Sequence, residues 1–509
     1  MQKNINKKIP KKCISICKGK PTDECNTNEK CKYINGKTRK YCRLSYRYKM
    51  NKTNCNFTRK YKKSEAASMI RRFVNRNPVK IRREFLRTIC SNSGQCLALG
   101  KESKKIRDYF EGFTEFHYLE SPVKRIGAVS SNGFVNELKY NRGGYVSYAI
   151  LKSSANSRAD NLMYEYVVGR FINLMCERFP CFLETYGSYY YKDDSYWRAM
   201  SERKVNDKQF LKKSLKLEHN RNMNFGKACE NSKHVAILIQ HIKNVNTKST
   251  QSIEGFLQNS TPEYIVSELP HLLYQIYFPL AMLMNVFTHY DLHQNNILLY
   301  ELDAGKYIDF HYHLSNNEII SFKSKYIVKI IDYGRSYFYQ TKTMNSEVIY
   351  KNLCKWKQCG PNCGSDFGFN WFSGILEEDN YFIDTSQPNI SHDLRLLSDI
   401  RLDGTAGSLP VRNVHEKKIN YFFRSLVYKS KFPSIDNDGD IVSYYGTAPL
   451  QNGYPHRIHT VNDAFTGLTD ILKITELQID HDSNYLGDLK IGDLHIYQEN
   501  KPMEFIPFP

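Results

Sequence analysis

The sequence of 509 residues lacks any apolar run of about 18 residues, the length at which a segment predicts a membrane-spanning helix. Its mean hydropathy is −0.56. The N-terminal stretch MQKNINKKIPKKC is basic, but no apolar segment follows it, so it does not match a secretory signal. These absences argue against an integral membrane protein and a secreted one, and we expect a cytoplasmic or nuclear setting.

Acidic residues are scarce in the first 100 positions, which hold 27 Lys and Arg but only 5 Asp and Glu. The remaining 409 residues hold 46 basic and 47 acidic residues, so the net charge of +21 comes from this basic arm. Such an arm suits an acidic protein, a nucleic acid or an anionic lipid surface as partner. No aromatic-rich RNA-binding motif accompanies it. Simple solubilising charge explains the arm equally well.

Cysteine pairs with zinc-finger spacing are also missing from the arm. Eight of the 14 cysteines lie before residue 100: Cys13, Cys17, Cys25, Cys31, Cys42, Cys55, Cys90 and Cys96. No two of them form a CxxC pair, so the zinc signal is weak, and disulfides are not the default without a secretory signal. A later group, Cys354, Cys359 and Cys363, is compatible with metal ligands, although free thiols are the commoner outcome for such a loop.

Strand and helix patterns are both present between residues 120 and 500. Apolar or alternating segments bounded by turn residues predict strands: KRIGAVSSNGFVNELKY, YVSYAILK, FLETYGSYYY and HVAILIQHI. The segment NLMYEYVVGRFINLMCERF has apolar residues at helical spacing and predicts a helix among these strands. A long apolar run predicts a further helix that ends at Thr288. The expected fold class is α+β, with a small sheet and one helix followed by a helical region.

Two polar clusters interrupt the apolar pattern of the second half. HYDLHQNNILL carries Asp291 and Asn296 on a predicted loop, and the predicted strand IVKII ends in Asp332, 36 residues after Asn296. Metal-assisted phosphoryl transfer needs one carboxylate to orient a hydroxyl, and an amide with a second carboxylate to hold Mg²⁺. Turn capping by Asp291 and Asn296 in an Asn-rich chain is the simpler alternative.

These residues resemble the protein kinase family, and the resemblance covers roughly residues 120–500. HYDLHQNN is similar to the catalytic loop, with Asp291 as base and Asn296 as metal ligand, and IIDYG is similar to the motif whose Asp, here Asp332, is the principal Mg²⁺ ligand. The resemblance implies a bilobal fold, ATP as cofactor, and Mg²⁺ or Mn²⁺ as the metal. It also implies that Asp393 in SHDLRLL braces the catalytic loop; an ordinary helix N-terminal Asp is the alternative.

The same resemblance implies a nucleotide site. YAILK is similar to the strand that carries the phosphate-binding lysine, here Lys152, with Glu165 as its ion-pair partner. IGAVSSNGFV is similar to the glycine-rich loop, and ILIQHI is similar to the strand before the hinge, with Ile239 as the gatekeeper. The implied nucleotide-binding residues are Lys152, Ile126, Gly127, Ser130, Gly133, Phe134, Val135, Gln240, His241 and Ile242.

The chain departs from the family pattern at several positions. Gly127 and Gly133 are six residues apart where the family has five, and Ser130 replaces the middle glycine, so we expect weaker closure over phosphate. Tyr290 replaces the Arg that reads a phosphorylated activation loop. His293 replaces the Lys of kinases that act on Ser or Thr. We expect its imidazole to donate to the γ-phosphate, with a rate that depends on pH near about 6.5, or else to pack under the loop.

Those departures leave two alternatives to a protein kinase. HxDLHxxN is also similar to the catalytic loop of aminoglycoside and choline phosphotransferases, which act on small hydroxyl compounds. The glycine of DYG, the AILK strand and the basic arm favour transfer to Ser or Thr of a protein. A pseudokinase scaffold is disfavoured because the full catalytic set is present: Lys152, Glu165, Asp291, Asn296 and Asp332.

The segment CKYINGKTRKYCRLSYRYKM resembles a two-cysteine adaptor module that some large DNA viruses fuse to kinases and proteases. The resemblance implies Cys31 and Cys42 as the paired cysteines and a viral kinase of the iridovirus type, located in the host cytoplasm or the virion. Protein substrates are the expected partners, and residues 1–100 are expected to contact acidic proteins or nucleic acid. The predicted domains are an adaptor-like module (1–60), a basic helical linker (61–119), a kinase N-lobe (120–245) and a C-lobe with an extension (246–509).

Overall fold

The computed structural model divides into two compact units, Met1–Phe85 and Leu86–Pro509. Both contain helices and strands, so the protein belongs to the mixed α and β class. The predicted cysteine group at 354–363 lies outside the described residues. The structure describes residues 17, 20–27, 31–35, 40–44, 48–50, 57–59, 99–100, 102–130, 133–154, 161–202, 207–218, 234–241, 243, 251–353, 369–372, 380–383, 388–402, 412–426, 457–476 and 489–508.

The first unit is organised around cysteine. Its elements are α1 (Thr22–Thr27), β1 (Cys31–Asn35), β2 (Lys40–Leu44), β3 (Tyr48–Met50) and β4 (Phe57–Arg59), and β1–β2 and β3–β4 form antiparallel pairs.

Disulfides join Cys17 to Cys31 and Cys25 to Cys42. The expectation that Cys31 pairs with Cys42 is therefore wrong, and disulfides are present although the sequence did not make them the default. In the β1–β2 ladder Cys42 lies opposite Tyr33 rather than Cys31. Cys31 and Cys42 on the hairpin therefore bond to Cys17 and Cys25, which precede the hairpin in the sequence.

The second unit contains a six-stranded antiparallel sheet with the order β5-β6-β7-β10-β8-β9. Five of its six strands overlap the segments that predicted strands, and β9 was not predicted. They are β5 (Lys124–Ser130), β6 (Gly133–Arg142), β7 (Tyr145–Ser153), β8 (Thr185–Tyr191), β9 (Leu215–Leu217) and β10 (Val235–His241). The helices in this part are α2 (Glu102–Tyr109), α3 (Asn161–Met175), α4 (Asp194–Ser201) and α5 (Lys208–Ser214).

Helix α3 packs against β8 and β10. Most of its side chains between positions 162 and 168 are buried, which explains why its sequence is apolar on nearly every side. A Cβ atom at Gly169 would overlap the Thr185 side chain, so only glycine permits this close approach of helix and sheet. The contact holds α3, and with it Glu165 one turn earlier, against the sheet.

Among the described helices the longest is α7 (Pro262–Leu283), which is buried along most of its length. Thr261 caps its N-terminus by accepting a hydrogen bond from the Tyr264 N–H, and Pro262 occupies the first turn, where no N–H is required. The prediction that this helix continues to Thr288 is wrong. It ends at Leu283, and Phe287 and Thr288 instead form the strand β12, which pairs with β17 (Tyr337–Thr341).

Most of the remaining elements contribute side chains to the hydrophobic core that includes α7. The other helices are α6 (Ile253–Asn259), α8 (Ser346–Leu353), α9 (Arg395–Leu402), α10 (Val414–Arg424) and α11 (Val461–Glu476). The small sheets add β11 (Gln251–Ser252), β13 (Ile297–Glu301), β14 (Lys306–His313), β15 (Ile319–Ser324), β16 (Tyr326–Ile330), β18 (Met344–Asn345), β19 (Phe369–Phe372), β20 (Asn380–Ile383), β21 (Leu489–Tyr497) and β22 (Glu504–Pro507).

Two of these small sheets position the polar side chains that are described below. Strands β11, β13 and β16 form one, and the order β15-β14-β21-β22 forms another, in which the C-terminal strand β21 lies parallel to β14. Among the described helices, none combines the length and the apolar character needed to cross a membrane.

Candidate active site

Lys152 on β7 joins two carboxylates from distant parts of the chain. Its Nζ lies 2.7 Å from Glu165 Oε2 on α3 and 3.0 Å from Asp332 Oδ1 beyond β16. Burial disfavours the charge on the lysine, but the carboxylates of Asp332 and Glu165 outweigh it and raise the pKa of Lys152. The lysine therefore stays protonated, and it connects the six-stranded sheet to the end of β16.

The two carboxylates differ in their surroundings. Burial raises the pKa of Glu165 to about 7, although Lys152 opposes this shift. For Asp332 burial acts in the same direction, but the ammonium of Lys152 outweighs it and lowers the pKa of Asp332. The side chain of Glu165 is 5% exposed and that of Asp332 is 38% exposed. Asp332 is thus the ionised oxygen donor that remains open to a ligand.

Asn296 lies beside Asp332 because of strand pairing. Ile297 at the start of β13 pairs with Ile330 at the end of β16, and the Ile331 N–H donates to the Asn296 carbonyl at 3.0 Å. The two residues therefore lie at one edge of the same small sheet. Asp332 has φ 66° and ψ 70°, a left-handed conformation that costs energy for a residue with a Cβ atom and is most often kept at functional sites.

The Asn296 side chain is fixed by the backbone of its own loop, residues 289–296. Its Nδ2 donates to the Asp291 carbonyl oxygen at 2.8 Å. Since the amide nitrogen is engaged, the amide oxygen is the atom that a cation would use. An amide oxygen and an ionised carboxylate are hard donors of the kind that Mg²⁺ and Mn²⁺ prefer, so Asn296 and Asp332 fit such an ion.

The backbone of the predicted catalytic loop is held by Asp393. The carboxylate of this buried residue accepts the His289 N–H at 2.8 Å and the Tyr290 N–H at 3.0 Å. Burial raises the pKa of Asp393 to about 7, while the two backbone hydrogen bonds favour its ionised form. The prediction that Asp393 braces the loop is confirmed, and Tyr290 is held at φ 63° within it.

His289 fastens the loop to the strand that leads to Asp332. Its Nε2 lies 2.9 Å from the Ile331 carbonyl, and its Nδ1 accepts the Asp291 N–H at 3.2 Å. These partners require the neutral ring with hydrogen on Nε2. Burial lowers the pKa of His289, which is consistent with that form.

Asp291 faces two arginines that the sequence did not single out. Arg395 Nη1 lies 2.9 Å from Asp291 Oδ1, and Arg335 Nε lies 4.0 Å from Asp291 Oδ2. The Arg395 side chain is only 3% exposed. Arg395 follows Asp393 by two residues in the sequence. This spacing predicts a contact between Arg395 and Asp291 only once Asp393 is known to bind the loop that carries Asp291.

His293 lies at the edge of this group. Its Nε2 is 4.0 Å from Asp291 Oδ1, and its Nδ1 accepts the Asn295 N–H at 3.3 Å, which caps the short 3₁₀ helix Gln294–Asn296. Burial lowers the pKa of His293 against the opposing charge of Asp291. Any pH dependence from this ring is therefore expected below about 6.5 rather than at it. The cap gives His293 a structural role, and contact with phosphate stays a prediction.

The predicted nucleotide residues divide between the two faces of the six-stranded sheet. Ile126 pairs with Val135, Val135 pairs with Lys152, and Lys152 pairs with Ile237, so these side chains share a face. Ile239 lies on it too, two residues after Ile237. The structure thus brings partly exposed apolar side chains next to Lys152.

Phe134 lies on the other face. It pairs with Ser153, the neighbour of Lys152, and its buried ring packs under the Arg125 guanidinium at 4.2 Å. Gly127 and Gly133 take positive φ values of 67° and 124°, and Ser130 pairs with Gly133 across the hairpin. The structure therefore brings the glycines to the β5–β6 turn but does not bring the Phe134 side chain to Lys152.

Two of the three predicted hinge residues lie within the large sheet. Gln240 and His241 still belong to β10, and the Gln240 N–H donates to the Glu184 carbonyl at 2.7 Å. This N–H is consequently not available to an adenine ring, contrary to the prediction. The His241 ring lies 3.3 Å from Glu137, and Ile242 is outside the described residues.

No family model and no curated protein matches the sequence. Solved structures do match, among them a Plasmodium protein whose crystal structure is described as a kinase domain. That structure is 12% identical to this chain, and the alignment covers 62% of this chain and 73% of the other with a TM-score of 0.24. A likeness this weak identifies no family, so the function has to be inferred from the geometry of the site.

Proposed function

We propose that the protein is an ATP-dependent kinase that transfers the γ-phosphate to Ser or Thr hydroxyls of proteins. One observation carries the proposal: Lys152 forms ion pairs with both Glu165 and Asp332. Asp332 in turn lies beside Asn296, because the strand before Asp332 pairs with the strand after Asn296. A cation, an ionised carboxylate and a catalytic carboxylate on a braced loop form the set that phosphoryl transfer uses.

The residues have separate roles in this proposal. Lys152 binds the phosphates of ATP and is held by Glu165, while Asn296 and Asp332 hold Mg²⁺ or Mn²⁺, which screens the phosphate charge when bound. Asp291 accepts a hydrogen bond from the substrate hydroxyl and orients it. The apolar face near Ile126, Val135 and Ile239 is the surface offered to the base, together with backbone beyond His241. Residues 120–245 and 246–509 are the proposed N-lobe and C-lobe.

The protein nature of the substrate and a viral origin are also proposals. The glycine after Asp332 in DYG, the AILK strand and the basic arm at residues 1–100 support a macromolecular substrate, and the adaptor-like segment supports a virus of the iridovirus type. On this basis the protein acts in the host cytoplasm or the virion. Its basic arm contacts acidic proteins or nucleic acid.

The test is a transfer assay with the full-length chain, Mg²⁺ and ATP labelled at the γ-phosphate. Basic proteins, virion proteins and small aminoalcohols are offered in parallel, and labelled proteins are hydrolysed to identify the phosphorylated amino acid. Phosphoserine or phosphothreonine is the expected result. Label confined to the aminoalcohols would overturn the choice of substrate, and no transfer to any acceptor would support a scaffold.

A matched pair of lysine variants makes this assay specific. Lys152→Ala removes the cation at the site, and we expect it to lower the rate by about a hundredfold or more. Lys139→Ala is the control, because Lys139 lies on the neighbouring strand β6 and pairs with Glu120 at 2.7 Å on an exposed part of the sheet. Equal rates for the two variants would contradict the assignment of Lys152.

A further inference from the structure

The sheet β15-β14-β21-β22 has one apolar face and one face of histidine and aspartate. In the parallel pair β14–β21, Asp309 lies opposite Asp493 and His311 lies opposite His495. Side chains alternate along a strand, so these four share the face that points away from the core. The intervening residues are buried: Ile308, Phe310, Tyr312, Leu494 and Ile496.

Three of these side chains converge on one point. His311 Nε2 lies 2.9 Å from Asp493 Oδ1, and ligand atoms of Asp309, His311 and Asp493 all lie within 4.8 Å of one another. Lys490 Nζ lies 2.7 Å from both Asp493 Oδ1 and Asp309 Oδ2, so a positive charge already stands among them. Asp309 Oδ1 is buried and has no hydrogen-bond partner among the described residues.

The orientation of His311 suits a metal ligand. Its Nδ1 lies 2.9 Å from Ser321 Oγ on β15, which fixes the ring and directs Nε2 at the carboxylates. Histidines that bind metals are commonly held by such a hydrogen bond on the other ring nitrogen. With bonds of about 2.0–2.1 Å to a metal, a nitrogen and an oxygen ligand are separated by about 2.9 Å at right angles and about 3.3 Å at the tetrahedral angle. The spacing of His311 and Asp493 falls in this range.

We propose that Asp309, His311 and Asp493 form a site for a transition-metal dication of the zinc class, with Lys490 as its built-in competitor. An imidazole nitrogen with two carboxylates suits Zn²⁺ or Co²⁺, whereas Mg²⁺ prefers oxygen alone. The Lys490 ammonium holds the two carboxylates together without metal and withdraws when the dication enters. His495 stacks on His311 at 4.8 Å and lies 2.9 Å from His313, so it supports the site from beside it.

The site joins parts of the chain that are far apart in sequence. Asp309 and His311 belong to the β14–β15 hairpin, which the chain forms between β13 and β16, while Asp493 belongs to the C-terminal strand. A bound dication therefore fastens the C-terminal strand to a hairpin whose flanking strands, β13 and β16, begin just after Asn296 and end just before Asp332, respectively. This inference does not depend on kinase activity.

The test is binding of Co²⁺ to the full-length chain after treatment with a chelator, followed by displacement with Zn²⁺. Visible absorption bands report Co²⁺ bound by nitrogen and oxygen ligands. Co²⁺ bound by the N-terminal cysteines would instead give near-ultraviolet bands from cobalt–thiolate bonds, so the two kinds of binding can be distinguished. Thermal melting with and without Zn²⁺ provides a second readout. We expect one ion bound without thiolate bands, and a higher melting temperature with metal.

Three variants decide the matter. His311→Ala is expected to weaken Co²⁺ binding at least about tenfold, and Lys490→Met is expected to strengthen it, because it removes the competitor and leaves every ligand in place. His117→Ala is the control, since His117 forms a similar pair with Glu111 at 2.8 Å in another part of the unit. The proposal would be overturned if Lys490→Met did not strengthen Co²⁺ binding. It would also be overturned if His311→Ala bound Co²⁺ as tightly as the wild type. Because either result is sufficient, the test still works if one of the two variants folds poorly.

Discussion

The loop at residues 289–296, which is the proposed catalytic loop, and the β5–β6 hairpin, which is the proposed phosphate-binding loop, are built in opposite ways. The loop backbone is tied to Asp393 and to the Ile331 carbonyl, and its Asp291 carboxylate is bonded to the buried Arg395. In the hairpin, Ile126 is 37% exposed, and a Cβ atom at Gly127 would meet nothing within 4 Å.

Under the proposed function, this difference separates a rigid part of the site from an adaptable one. Groups that orient the reacting atoms gain from a buried framework, since small displacements there cost much of the rate. A hairpin that covers phosphate needs backbone freedom and access instead. Changes in the catalytic loop and at Asp332 are therefore expected to lower turnover severely, and changes at the hairpin are expected to alter nucleotide affinity mildly.

The largest effect is expected from Asp332→Asn. The substitution keeps the shape of the side chain but removes the charge that faces Lys152, so phosphoryl transfer should fall by about a thousandfold or more. The measurement is kcat with Mg²⁺ and ATP. Asp194→Asn on the exposed helix α4 serves as the control and should leave kcat unchanged. Near-normal turnover in Asp332→Asn would remove Asp332 from the site.

A smaller loss is expected from Arg395→Met, which tests whether the framework around Asp291 matters. Without the bond at 2.9 Å the carboxylate loses its fixed orientation, and kcat should fall by about tenfold to a hundredfold while KM for ATP changes little. Arg395→Lys should recover part of the rate. An equal loss of ATP affinity, or a melting temperature far below the wild-type value, would mean that Arg395 acts on the fold rather than on Asp291.

The same framework should be sensitive to acid through His289. Its pKa is lowered in the folded protein, so the unfolded chain binds more protons as the pH falls. The stability that His289 contributes is complete above its unfolded pKa of about 6.5 and is lost as the pH falls toward its folded value. Glu165 and Asp393, whose pKa values are raised to about 7, contribute with the opposite sign: their contribution is lost as the pH rises through about 7.

Melting temperatures of the wild type and of His289→Gln between pH 5 and 7.5 isolate this contribution. Glutamine keeps a donor for the Ile331 carbonyl but does not titrate, so the variant should lose less stability on acidification. Both proteins carry Glu165 and Asp393, which therefore cancel in the comparison. Parallel curves would show that His289 does not set the acid limit.

The smallest effect is expected from Gly127→Ala. Alanine at a φ of 67° costs about 1–2 kcal/mol, but the space around the position lets the hairpin relax. KM for ATP should rise by at most about tenfold, with kcat retained. Gly144→Ala is the matched control, since Gly144 has a φ of 89° in the β6–β7 turn and is equally open. A large loss of kcat in Gly127→Ala alone would break the contrast between hairpin and loop.

Sequence patterns predicted helix α3, the brace at Asp393 and every strand of the large sheet except β9, because alternation, helical spacing and short motifs are local features. They did not predict Arg395, whose meaning depends on packing between segments about 100 residues apart. The pairing of β14 with β21 was missed for the same reason, because parallel pairing of strands far apart in sequence leaves no short-range signal.

Details of register were also beyond the sequence. The motif around Phe134 is compatible with either face of the sheet, and a shift of one residue moves every side chain to the opposite face. The same limit applies to Gln240, whose N–H is occupied only because β8 lies beside β10. In the first unit, the order in which four nearby cysteines pair depends on the fold of the hairpin rather than on their spacing.

Direct pairing of β13 with β16 makes the separation of Asn296 and Asp332 independent of the length of chain between them. Residues 315–318, at the exposed tip of the β14–β15 hairpin, connect the two halves of that intervening segment. A foreign domain grafted into this tip would lengthen the connection without moving either oxygen donor. The tip of the hairpin is thus a position at which evolution or protein engineering could insert a recognition domain or a fluorescent reporter.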